Sequence, residues 1–125
     1  MTAPIGSGPG RALIAVYGLF SLAAGARAGV QIAMRFGEAP LAYSLSAFAA
    51  AVYILLTVAL WRGARRLALA ALGVELAGVL IVGTLSLLDP AAFPDATVWS
   101  GYGQGYLFIP LVLPLVGLYW LLRRR

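Results

Sequence analysis

Apolar residues fill four long stretches of this chain, each closed by Pro, Gly or charged residues. They cover about residues 12–34, 41–61, 67–88 and 105–122. Each comes close to the roughly 20 residues that an α-helix needs to cross about 30 Å of hydrocarbon. The fourth is the shortest and carries Pro110 and Pro114, which membrane-spanning helices tolerate, usually with a kink. Short connections make the first three spans antiparallel neighbours. The pattern therefore predicts an all-α chain, an antiparallel four-helix transmembrane bundle. Residues 1–11, rich in Pro and Gly, are expected to be a flexible tail, with residues 12–125 a single transmembrane domain.

Polar positions inside the spans follow a helical period. Arg27, Gln31 and Arg35 recur at i, i+4 and i+8, and Glu38 returns to that face if the helix continues. The residues around Arg27 are Ala and Gly, and Gly25 and Gly29 form a small-xxx-small pair that lets another backbone approach. Tyr43, Ser46, Ala50, Tyr53 and Thr57 share one face of the second span. Glu75, Gly78, Val82 and Ser86 share one face of the third. Lipid satisfies none of these groups, so all three faces are expected to turn inward.

Charges within apolar spans are functional-site candidates. Glu75 lies about 12 Å from the inner end of its span, and Arg27 about 10 Å from the outer end of its own. Across about 30 Å of core their levels differ by roughly 8 Å, most of which an arginine side chain could cover. The expectation is an Arg27–Glu75 ion pair with Tyr53 and Gln31 as hydrogen-bonding neighbours, and Arg35 and Glu38 at an outer vestibule. Such a cluster serves either to fix helix register or to bind a ligand, ion or proton.

Arginine placement sets the direction of threading. Arg11, the group Arg62, Arg65 and Arg66, and the terminal Arg123, Arg124 and Arg125 fall on one side, with Arg35 alone on the other. The positive-inside rule puts both termini in the cytoplasm. Trp61, Tyr119 and Trp120 are expected as anchors at the inner interface, and Trp99, Tyr102 and Tyr106 at the outer one. Arg11, an apolar run and Ala24-Gly25-Ala26 also fit a signal peptide, but the apolar pattern continues through residues 30–34.

Composition narrows the function classes. The 125 residues are 62% hydrophobic and only 10% charged, and the mean hydropathy is +0.95. A soluble domain is about a quarter charged. The pI near 10.3 comes from arginines at span ends, which make no basic face for nucleic acid. The chain has no Cys and no His. That removes thiol redox chemistry, disulfides, the usual general base and the commonest metal and haem ligand. Glu38, Glu75, Asp89 and Asp95 are too dispersed for a two-carboxylate or metal site. No P-loop is present. The chain is thus expected to be no enzyme and to need no cofactor or metal.

Gly101-Tyr102-Gly103 resembles the potassium-filter signature, whose carbonyls line a pore. Trp99 stands where that signature needs threonine, and a glycine-rich turn with interfacial aromatics is the simpler reading. The stretch ELAGVLIVGTLSLL at 75–88, with Asp89-Pro90, Phe93-Pro94-Asp95-Ala96-Thr97-Val98-Trp99-Ser100 and residues 108–114 (FIPLVLP), resembles conserved small integral membrane proteins of high-GC Gram-positive bacteria. That resemblance implies a multi-pass protein of the bacterial cell membrane and transfers no activity. The small and basic residues of the first span give a looser likeness to the DoxX-type four-helix membrane proteins. Small multidrug exporters carry their essential glutamate in the first span, where this chain has Arg27. Three roles follow as expectations. The first is an accessory, assembly or structural subunit with a membrane-protein partner or a second copy of itself. The second is a small transporter or channel using Arg27 and Glu75, and the third is lipid or quinone binding between helices.

Overall fold

The computed structural model describes residues 8–93, 97 and 99–123. The chain is all-α. Helix α1 runs Gly8–Arg35, α2 Pro40–Arg62, α3 Arg65–Leu88 and α4 Ile109–Arg123. Short 3-10 turns cover Phe36–Glu38 and Pro90–Ala92, and a longer 3-10 segment covers Ser100–Tyr106.

Local chemistry explains the boundaries. Pro40 cannot donate a backbone hydrogen bond and disfavours helix in the residue before it, so α1 and α2 separate there. Pro40 then takes the first position of α2, where its missing N–H is harmless. Gly63 adopts a left-handed conformation (φ 71°) and its N–H caps the carbonyls of Ala59 and Leu60. Pro90 closes α3 after Asp89. The helix also begins earlier than expected, because Gly8 to Arg11 belong to α1 and not to the tail. Residues 1–7 of that tail lie outside the described residues.

Helices α1, α2 and α3 are long and apolar enough to cross a membrane. The fourth stretch differs from expectation. Gly105 and Tyr106 are not in α4 but in the 3-10 segment, which meets α4 at a bend of 98°. Gly101, Tyr102, Gly103, Leu107 and Phe108 all have φ between 57° and 86°, and left-handed backbone cannot continue a right-handed helix. Helix α4 therefore keeps 15 residues, about 22 Å of rise. Pro110 fits its first turn, while Pro114 forfeits one hydrogen bond inside it.

Packing follows chain order. Helix α1 lies along α2, α2 along α3, and α3 along α4, whereas α1 and α4 barely touch. Arg65 Nη2 donates to the Leu121 carbonyl at 2.7 Å and ties the start of α3 to the end of α4. The interior is a continuous apolar cluster that includes Tyr17, Phe20, Tyr53, Leu56, Leu72, Val79 and Trp99. Large apolar side chains also cover the outside: Leu22, Met34, Leu88 and Leu107 are each 75% exposed or more. Of the most apolar window of α1, only 28% is buried. Such a surface fits lipid and not water.

Candidate functional site

On α2 and α3 the inward faces read from the sequence are those of the structure, whereas on α1 only Gln31 of the expected polar face turns inward. On α2, Tyr43, Ser46, Ala50 and Tyr53 are buried and Thr57 half-buried. On α3, Glu75 and Val82 are buried, with Gly78 and Ser86 half-buried. On α1 the buried line is Leu13, Tyr17, Phe20, Ala24, Ala28 and Gln31, spaced by three or four as a single helical face requires. Arg27 and Arg35 lie beside that line and are exposed.

Glu75 is completely buried. Its Oε1 accepts a 2.6 Å hydrogen bond from the Tyr17 hydroxyl, which reaches from α1 to α3. Its Oε2 has no partner among the described residues. The Tyr17 ring sits 6.1 Å from that of Tyr53, and Phe20 meets Tyr53 edge-on at 5.6 Å. The Tyr53 hydroxyl accepts 2.8 Å from the indole N–H of Trp99, whose ring also meets Tyr53 edge-on. One glutamate, two tyrosines and a tryptophan thus link α1, α2, α3 and the segment after α3. Nearby, the Ser21 and Thr57 hydroxyls approach to 3.2 Å across α1 and α2.

The expected Arg27–Glu75 ion pair is not formed. Arg27 Nη1 donates to the Tyr106 hydroxyl at 3.1 Å, and Tyr106 packs against Phe20. Bringing the guanidinium inward would desolvate two charges, a penalty their attraction often fails to repay. A phenol supplies the carboxyl with a donor and adds no second ion. Gln31 is buried as expected, but it is not a neighbour of Glu75 by any hydrogen bond, and its Oε1 is unpartnered among the described residues. Together with Ala26, Arg27, Val30 and Arg35 it lines an open cleft of about 540 Å³. Arg35 and Glu38 pair at 3.3 Å with both side chains more than half exposed. An exposed pair of this kind contributes little.

The glycine-rich segment changes role most. Trp99 is not an interface anchor: it is 1% exposed and lies against Gly78, where an added Cβ would come within 2.4 Å of its ring. Tyr102 packs on Gly83, where an added Cβ would stand 2.3 Å from its ring, and its hydroxyl is 2.8 Å from that of Thr84. Ser86 Oγ accepts from the Gly101 N–H at 2.8 Å. The segment is folded onto α3 and plugs the cluster. Trp61 and Tyr119 are exposed at 60% and 62%; Trp120 is half-buried. Gly25 and Gly29 have nothing within 4 Å of an added Cβ among the described residues, so none of the described helices uses that pair.

Sequence reasoning missed Tyr17 and put Trp99 at the outer interface instead of in the cluster. Tyr17 lies on the Gln31 face fourteen residues earlier, so period alone points to it. For Trp99 the only signal was two glycines on the inner side of α3. No three acidic groups converge among the described residues. No protein-family model, curated protein or solved structure matches the chain.

Proposed function

We propose that the chain is a multi-pass protein of the bacterial cell membrane, a four-helix bundle with both termini in the cytoplasm, and that it serves without catalysis as an accessory, assembly or structural subunit of a membrane complex. The observation that carries this reading is the way the interior polar groups are used. Tyr17 bonds Glu75 and Trp99 bonds Tyr53, and the two pairs, in ring contact through Tyr17 and Tyr53, join three helices and the plug segment. Groups spent in this way fix register and packing. The membrane supplies the solvent for the apolar exterior.

A partner helix has a place to dock. The open approach at Gly25 and Gly29 admits a second backbone, whether from another protein or from a second copy of this chain. The test is purification of the tagged chain from its native membrane in mild detergent, with cross-linking before extraction. The expected result is one larger membrane protein at fixed stoichiometry, lost on Gly29→Leu while the helical content of the chain is unchanged. A self-contained oligomer that moves solute across liposomes would contradict it.

One observation favours a second reading, a small transporter. Glu75 Oε2 is buried without a partner among the described residues, as in a site that takes up an ion or proton. Liposome flux that disappears with Glu75→Gln would replace the first reading by this one.

A further inference from the structure

Because α1 and α4 barely touch, the seam between the first and last helices stays open. Ala12, Leu13 and Val16 on α1, with Leu113, Val116 and Trp120 on α4, enclose a cleft of about 310 Å³. That is the lower end of the range for small-molecule sites. The helices are antiparallel here, so Ala12 and Trp120 stand at the same end. The cleft runs from them toward Leu113, seven residues of α4, or about 10 Å. Its walls are hydrocarbon apart from the indole N–H of Trp120. A polar ligand gains nothing from such walls, whereas an alkyl tail replaces an unfilled gap with contacts.

The mouth supplies the other half of the chemistry. Arg11 immediately precedes Ala12, and Arg123 stands three residues beyond Trp120. Arg123 is held in place by Tyr119: Nη1 donates to its hydroxyl at 2.9 Å, and the guanidinium carbon lies 5.4 Å from its ring centre. One such bond leaves most of the five guanidinium donors for an oxyanion. Arg62, Arg65 and Arg66 stand at this same end. The described acidic residues Glu38 and Asp89 stand at the opposite end, and Glu75 lies between.

We propose that the α1–α4 cleft holds one acyl chain of an anionic phospholipid, with its phosphate against Arg123 and Arg11. The tail fills the apolar seam, and the headgroup meets a cationic rim at the depth where phosphates lie. The lipid would act as a fifth element of the packing between the first and last helices. The proposal rests on the membrane placement above and is independent of the subunit reading.

Native mass spectrometry of the full chain, offered phosphatidylglycerol and phosphatidylcholine of identical acyl composition, tests this. One phosphatidylglycerol should be retained per chain, preferred over phosphatidylcholine by about tenfold, or about 1.4 kcal/mol. Val116→Trp should fill the cleft and abolish retention, while Val112→Trp on the outer face of α4 leaves it intact. Arg123→Gln should bring the two lipids toward parity. If Val116→Trp fails to fold by circular dichroism, Ala12→Phe blocks the facing wall instead. Equal retention of the two lipids, retention unchanged by the blocking variant, or an isoprenoid quinone held in place of phospholipid would overturn the proposal. A chain that needs detergent yet keeps no lipid sinks the cleft alone and leaves the membrane placement standing.

Discussion

The carboxyl of Glu75 is served by a neutral phenol, and this decides how substitutions should behave. Tyr17→Phe leaves both carboxyl oxygens without a described partner, and Glu75→Leu strands the Tyr17 hydroxyl. Each should destabilise by about 1–3 kcal/mol, the usual penalty for an orphaned buried polar group. The double variant Tyr17→Phe/Glu75→Leu removes both partners and should recover most of that loss. Thermal unfolding of the four proteins in one detergent reads the coupling, and a double variant as damaged as the sum of the singles would disprove it. The sequence located Glu75 and its inward direction correctly, because helical period and the cost of polar groups in lipid act locally. It misassigned the partner because matching by sign and level leaves out the cost of desolvating two ions. Arg27 and Glu75 were matched by sign and level, while Tyr17 already lay on the same helical line as Gln31.

At the scale of elements, the segment after α3 is the least legible from sequence. Its glycines and aromatics look like an interfacial turn by composition. Only packing reveals that Trp99 and Tyr102 are seated against Gly78 and Gly83 of α3. The seat also accounts for backbone that would otherwise be unfavourable. Tyr102, Leu107 and Phe108 hold left-handed φ without being glycine, at about 1–2 kcal/mol each, and ring contacts and the Ser86 and Thr84 hydrogen bonds hold the segment there. Gly78→Ala must push the Trp99 ring aside and should destabilise by about 1–3 kcal/mol. Gly73→Ala on the same helix meets open space and should be neutral or stabilising, since alanine favours helix by about 1 kcal/mol. Unfolding temperature and Trp emission distinguish them. Equal effects from the two variants would mean that Trp99 is not seated where it is described. The three long helices, by contrast, were readable to within a few residues, because proline and glycine end them by local rules. The fourth was overextended because its apolar composition continues through a bend that only backbone dihedrals disclose.

For the whole molecule, the central claim is that the chain crosses the membrane four times, α4 included, with its basic ends on one side. The exterior of apolar side chains and the gathering of Arg11, Arg62, Arg65, Arg66 and Arg123 at the end away from Glu38 and Asp89, where Arg35 stands, both follow from that placement. A three-span arrangement would send Arg123 to the side of Gly37, so the short α4 is where the claim is most exposed. The chain has no native Cys, which makes single-cysteine labelling free of background. Gly37→Cys, Gln104→Cys, Arg62→Cys and Arg123→Cys, probed with a membrane-impermeant maleimide, test it directly. The account predicts labelling of positions 37 and 104 in intact cells, and of positions 62 and 123 only after permeabilisation. Labelling of position 123 together with position 37 in intact cells would contradict it.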